Sequence, residues 1–177
     1  MKIDELLAEY GQPMDRQRGQ HLFHQGDTDK SIYLIRNGLL KAYYLSDDGK
    51  EYIKSFLLPG DMIGSLKGMM GDGGCSFSLV CLEPAELTCI DYDILYARSR
   101  NDLNLANSMV DFLLAFAMKK ETREFEFLCL TAEERYQTLI DKAPGLVDRV
   151  TQNDIARYLG VTPVGLSRIK KRVERAA

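Results

Sequence analysis

Residues 151–174 read TQNDIARYLGVTPVGLSRIKKRVE, and the punctuation of this stretch decides how the C-terminal end folds. Thr151 and Asp154 stand at the spacing of a helix-start signal, so a helix is expected from Gln152 to about Leu159. Gly160 stops it, because glycine adopts the left-handed conformation of helix ends at little cost. Thr162 can cap a second helix, with Pro163 at its first position, where a missing N–H does no harm. Two short helices joined by a tight, glycine-containing turn make a helix-turn-helix. Ile155 and Leu159 point inward from the first helix. Leu166, Ile169 and Val173 do so from the second, and Ala156 is small where the two must cross closely.

Projected at about 100° per residue, Val164, Ser167, Arg168, Lys171 and Arg175 fall opposite that apolar stripe. Such a face suits the major groove of double-stranded DNA. Arg168 can fork onto guanine and Val164 can touch a thymine methyl, while Lys171 and Arg175 neutralise phosphates further along. With Thr162, these are the expected DNA-binding residues. The charge distribution agrees. From Arg149 onward, seven Lys and Arg stand against Asp154 and Glu174, giving +5 in a chain whose net charge is −3, so residues 1–148 carry −8. An acidic body with a basic end points to an anionic partner for that end.

Upstream, Thr131 and Glu134 have capping-box spacing and open another helix, which ends at Pro144-Gly145. Between about Asn101 and Leu128 there is neither Gly nor Pro, so a long helix is expected. Leu105, Met109, Phe112 and Phe116 recur at intervals of four, three and four. Ala106, Val110, Leu113 and Ala117 form a second such stripe. Two stripes need two burial partners. One partner is the protein's own barrel, and the other is the same helix of a second subunit, packed as a short coiled coil. Met109, Phe112 and Phe116 are assigned to the dimer contact, with burial of both stripes inside one subunit as the alternative.

Residues 18–91 read as strands and tight turns. SIYLIR, Asn37-Gly38 and LLKAYYL make a hairpin signal, since Asn-Gly suits a two-residue type I′ turn. Asp48-Gly49 does the same before EYIKSFLL, and Pro59-Gly60-Asp61 closes that run. SFSLVC and AELTCI follow. Short strands with regular turns indicate an antiparallel barrel or jelly roll. Cys81 and Cys89 sit in strand-like runs as small hydrophobes. Cys75, beside the glycines Gly71, Gly73 and Gly74, reads as exposed and is a redox candidate. His21 and His24 stand three apart in a strand, so they should face opposite ways. No metal site or other cofactor is expected.

Several function classes are set aside. No apolar run approaches a membrane span, and the N-terminus MKIDELLAEYGQ lacks the form of a signal peptide, so a cytoplasmic protein is expected. There is no G-x-S-x-G, P-loop, H-E-x-x-H or dinucleotide glycine motif, and an enzyme is not expected.

HQGD at 24–27, IYLIRNG at 32–38, DGKE at 48–51, PGDMIG at 59–64, and TQNDIARYLGVT followed by LSR resemble, in this order, the cyclic AMP receptor protein and fumarate–nitrate regulator family of bacterial transcription factors. The resemblance covers nearly the whole chain. It implies a jelly-roll sensor barrel, a homodimer through the long helix and palindromic DNA sites, with RNA polymerase and an unidentified small-molecule effector as candidate partners. Cyclic AMP binders of the family carry Gly-Glu after the PGD turn and Arg-Ser further on, for the ribose hydroxyl and the cyclic phosphate. Here those positions hold Gly64-Ser65 and Cys75-Ser76, so both charged anchors are missing. Lys67 is a cation at an unmatched position. Gly64, Ser65, Lys67, Cys75 and Ser76 are therefore expected to form a degenerate effector pocket with weak or no cyclic-nucleotide binding. No cysteine precedes Cys75, so the N-terminal iron–sulfur cluster of some members is not expected. Pro163 and Val164 replace the Arg-Glu with which the reading helix often begins, so the preferred site should differ. The family's β-hairpin wing is not expected after Ala177.

The expected fold is α+β: a sensor barrel over 1–100, a dimerisation helix over 101–130 and a helix-turn-helix domain over 131–177 without a wing. The expected function is transcription regulation by DNA binding. The alternative is a small-molecule sensor acting through a protein partner, which the basic face of the last helix argues against.

Overall fold

Ile32, Tyr33, Leu34 and Ile35 are buried without interruption, and the reason organises the N-terminal half. They lie in β3 (Ser31–Asn37). Tyr33 and Ile35 join a cluster with Phe23, Leu40, Leu57, Leu79 and Leu87. Ile32 and Leu34 join a second cluster on the other face, with Leu6, Leu7, Leu95 and Leu105. Side chains alternate across a strand, so a strand covered on both faces reads as one continuous apolar run.

The computed structural model describes residues 3–71 and 73–176. The other strands are β1 (Gln12–Arg16), β2 (His21–Phe23), β4 (Leu40–Leu45), β5 (Glu51–Leu57), β6 (Met62–Ile63), β7 (Ser78–Cys81) and β8 (Ala85–Asp91). They form two antiparallel four-stranded sheets in the orders β1-β8-β3-β6 and β2-β7-β4-β5. The first cluster fills the space between the sheets, as in a jelly roll. The second lies under α1 (Ile3–Tyr10), α2 (Leu66–Met70), α3 (Tyr92–Ser99) and the start of α4 (Leu103–Cys129). The chain divides into two compact units, one ending at Leu114 and the next beginning at Ala115, so the boundary falls inside the long helix. The second unit also contains α5 (Ala132–Lys142), α6 (Leu146–Arg149), α7 (Gln152–Leu159) and α8 (Pro163–Ala176).

Five expectations need correction. Asn37-Gly38 is not a hairpin turn, because β3 and β4 belong to different sheets. Among the described residues only glycines have positive φ, which excludes a type I′ turn at Asn37. Gly38 (φ +97°) is required by a close approach instead, since a Cβ there would meet the Pro84 carbonyl at 2.6 Å. The second hairpin does form, between β4 and β5, but through a longer loop. Ser46 N–H donates to the Lys50 carbonyl at 3.0 Å and Gly49 N–H to that of Ser46 at 2.9 Å.

His21 and His24 do not face opposite ways. Their rings stack with centroids 4.0 Å apart, because the register of β2 shifts between His21 and Phe23 and the strand ends before His24. Cys75 is buried, not exposed. Its N–H donates to Asp27 O and its carbonyl accepts from Gly26 N–H, both at 2.8 Å, which draws the glycine loop onto the barrel. Burial also pushes its thiol pKa up, away from the thiolate that a redox-reactive cysteine needs.

The dimer stripe is the fifth correction. Leu105 is fully buried, and Met109 and Phe112 pack against the second cluster of their own unit. The face left outward carries Val110, Leu113, Leu114 and Met118, exposed by 54, 45, 58 and 66%. The two periods were legible in the sequence. Which stripe meets the barrel depends on how the helix is rotated when it docks.

Candidate nucleic-acid interface

The helices of the second unit begin and end on local chemistry. Thr131 and Glu134 make the reciprocal capping box of α5, and Glu134 is held below the usual carboxylate range by the Thr131 N–H and hydroxyl it accepts from. Thr151 Oγ1 accepts from Asp154 N–H at 3.1 Å to cap α7. Gly160 ends that helix at φ +70°, ψ +32°, a left-handed conformation that side chains disfavour. Thr162 Oγ1 accepts from Gly165 N–H at 3.1 Å at the start of α8, with Pro163 as its first residue.

Ile155, Ala156, Leu159, Leu166 and Ile169 are buried where α7 and α8 cross, and Val173 is half-buried. The opposite face presents Thr162, Val164, Ser167, Arg168, Lys171 and Arg175, all exposed. The basic segment divides by role. Arg172 donates to Glu133 on α5 and Lys170 to Gln152 on α7, which ties α8 to its neighbours. None of the ion pairs found among the described residues uses Arg168, Lys171 or Arg175. Those three cations lie on an exposed helix face whose buried side is fixed by packing.

Residues 14–101 match the cyclic nucleotide-binding domain family. The anaerobic regulatory protein of Aggregatibacter actinomycetemcomitans is 32% identical over 98% of this chain and 71% of that protein. The fumarate and nitrate reduction regulatory protein of Vibrio cholerae is 31% identical over 99% of this chain and 74% of that protein. The chain belongs to the CRP/FNR family of transcription regulators. The structure of FixK2 from Bradyrhizobium japonicum, 17% identical, superposes with a TM-score of 0.81 over 94% of this chain and 85% of that one, and shows the same fold. As a CRP/FNR member the chain is a DNA-binding transcription regulator, and its relatives are regulators, not enzymes.

In this CRP/FNR regulator Gly64, Ser65, Lys67, Cys75 and Ser76 lie in or beside α2. Ser65 is buried, and its Oγ accepts from Gly68 N–H at 3.3 Å and from Ser76 N–H at 3.0 Å. Cys75 lies beneath the helix, where a Cβ on Gly68 would come within 3.0 Å of its sulfur. A Cβ on Gly64 would meet Met69 Cε at 2.1 Å. Lys67 is exposed, with its chain end against Gly73, where a Cβ would meet Cε at 2.7 Å. The Ser65 hydroxyl fastens this segment to itself. A cyclic phosphate would find no arginine here. It would also have to displace Ser65 from two backbone donors, and a buried anion without such compensation is costly.

Three residues of the second unit escape pattern reading: Arg123, Phe127 and Arg135. The two arginines reach the end of α7 across 35 and 24 positions of sequence, and no helical period signals contacts of that range.

Proposed function

We propose that this regulator binds palindromic double-stranded DNA as a homodimer, without control by cyclic AMP. The observation that carries the reading is the outward face of α8, whose three cations have no ion-pair partner among the described residues, while its opposite side is locked into the helix-turn-helix. Thr162, Val164, Ser167 and Arg168, near the N-terminal end, address the base edges and nearby backbone. Lys171 and Arg175 address phosphates. Val164 is apolar, so a preference for a thymine methyl is expected in place of hydrogen-bonded readout at that step.

The dimer seam is the exposed face of α4, with Ala106, Val110, Leu113, Leu114 and Ala117 at its centre. RNA polymerase is the further partner that a regulator of this family implies. No helix among the described residues is long and apolar enough to cross a membrane, and the cytoplasm is the compartment where such a protein meets DNA.

The test is selection of sites from a random duplex pool with no ligand added. A palindrome with half-sites about one helical turn (roughly 34 Å) apart is the expected product. A pool that stays unenriched at low salt, with purified dimer, contradicts constitutive reading. A separate expectation concerns the barrel. Calorimetric titration with cyclic AMP and cyclic GMP should give no binding in the low-micromolar range, because the Ser65 and Cys75 positions offer neither anchor. Saturable heat with either nucleotide at that level refutes the degenerate-pocket reading and leaves the DNA reading intact.

A further inference from the structure

The C-terminal end of α7 is held by two arginines from other helices. Val161 N–H turns back to Ala156 O at 2.9 Å and Gly160 N–H to Arg157 O at 3.4 Å. The last carbonyls of a helix, here including those of Tyr158 and Leu159, have no donor one turn further along it. Arg123 of α4 donates through Nη2 to the Tyr158 carbonyl. Arg135 of α5 donates through Nη2 to the Leu159 carbonyl at 3.0 Å, and through Nη1 to the Leu130 carbonyl at the end of α4 at 2.7 Å.

Stacking reinforces the hydrogen bonds. The Arg123 guanidinium lies 3.9 Å from the centre of the Tyr158 ring. Both guanidinium groups lie over Phe127, at 5.4 Å for Arg123 and 4.9 Å for Arg135. Phe127 in turn touches the turn glycine, since a Cβ on Gly160 would fall 2.7 Å from its Cζ. Cations at a helix C-terminus oppose the negative end of its dipole, and a planar guanidinium fixes direction as well as distance. Glu126, paired with Lys142 and 4.0 Å from Arg123, supplies the counter-charge.

We infer that Arg123, Phe127 and Arg135 form the joint that sets the direction in which the helix-turn-helix leaves the end of the dimerisation helix. Arg123 and Arg135 are thus positioning residues for DNA reading. In a dimer paired along α4, a firm joint narrows the range of distances between the two α8 helices and hence the half-site spacings that are read. Loosening it leaves each α8 able to read its own half-site. It lowers the effective concentration of the second contact once the first is made. The inference rests on the dimeric, palindrome-reading function proposed above.

The experiment compares wild-type and Arg123→Lys full-length proteins by fluorescence anisotropy. The duplexes are a selected palindrome, the same palindrome with one or two base pairs inserted between its halves, and an isolated half-site. Lysine keeps the charge and loses the fork and the stack. The variant is expected to keep its melting profile and half-site affinity, to lose about tenfold or more on the palindrome, and to stop distinguishing the spacings. Phe127→Leu, which removes the ring shared by both guanidinium groups, should do the same and stands in if Arg123→Lys does not fold. Spacing discrimination that persists in either folded variant overturns the inference. An equal loss on half-site and palindrome also overturns it, because it marks direct contact or unfolding. If the wild type binds without any spacing preference, the dimer reading fails first and the inference with it.

Discussion

Arg168→Ala is expected to weaken binding to a selected palindrome by about a hundredfold or more, since a bidentate arginine–guanine pair discriminates by roughly 1–3 kcal/mol and a homodimer loses two. The side chain is exposed on the outward face of α8 and joins none of the ion pairs found among the described residues. The thermal transition should therefore move little, as exposed substitutions away from special features cost within about 0.5 kcal/mol. Loss of preference should be confined to one base pair per half-site. Lys171→Ala is the internal contrast. A phosphate contact carries no sequence information, so its removal should weaken all duplexes alike and flatten the salt dependence by about one unit of slope per site. The measurement is anisotropy on the palindrome and on single-base variants of it, at several salt concentrations. If Arg168→Ala lowers affinity evenly across those variants, α8 is not reading bases through Arg168.

The second large effect is expected on the long helix. Val110→Glu should convert the dimer to a monomer, because it places two carboxylates face to face in the seam. Val110 is 54% exposed in the single chain, so the isolated subunit loses little by the change. In the dimer the seam would bury both charges without partners, at several kcal/mol each. It would also forfeit the burial of Val110 and its neighbours, on the order of 1 kcal/mol per half-exposed aliphatic side chain. Sedimentation equilibrium should show the wild type as a dimer at tens of micromolar and the variant as a monomer with an unchanged melting profile. DNA affinity should fall with dimerisation, by about a hundredfold or more, since the second half-site is no longer tethered. Met109→Glu should behave differently. It attacks the cluster beneath α4 within the first unit, so its melting transition should fall as well. A Val110→Glu protein that remains dimeric would remove the outward face of α4 from the assembly.

These expectations separate what short-range chemistry settles from what packing settles. The start of α5 at Thr131, the cap of α7 at Thr151, the left-handed stop at Gly160 and the Thr162-Pro163 start of α8 were all readable. Each depends on residues no more than four apart, whose side chains and backbone meet whatever the rest of the chain does. The inward and outward faces of α8 were readable for the same reason, since helical geometry converts spacing directly into direction. The absence of Glu and Arg at positions 65 and 75 was equally plain.

Readings that depended on which surface meets which were not fixed locally. Asn37-Gly38 has the composition of a hairpin turn, yet β3 pairs with β8 and β6 while β4 pairs with β5 and β7 in the other sheet, and the turn becomes a crossing between sheets. Cys75 lies beside three glycines but is drawn inward by backbone bonds to Gly26 and Asp27. Along α4, periodicity showed two stripes without showing which one docks. Arg123 and Arg135 read as ordinary helix-surface charges until the fold brings the end of α7 against them. By itself the sequence determined where elements begin and end, which side of each is apolar, and the family's order of parts, because these follow from neighbours a few residues apart. Only the tertiary structure decided strand partners, the free face of α4 and the arginine joint, because these follow from surfaces far apart in the chain competing for the same burial.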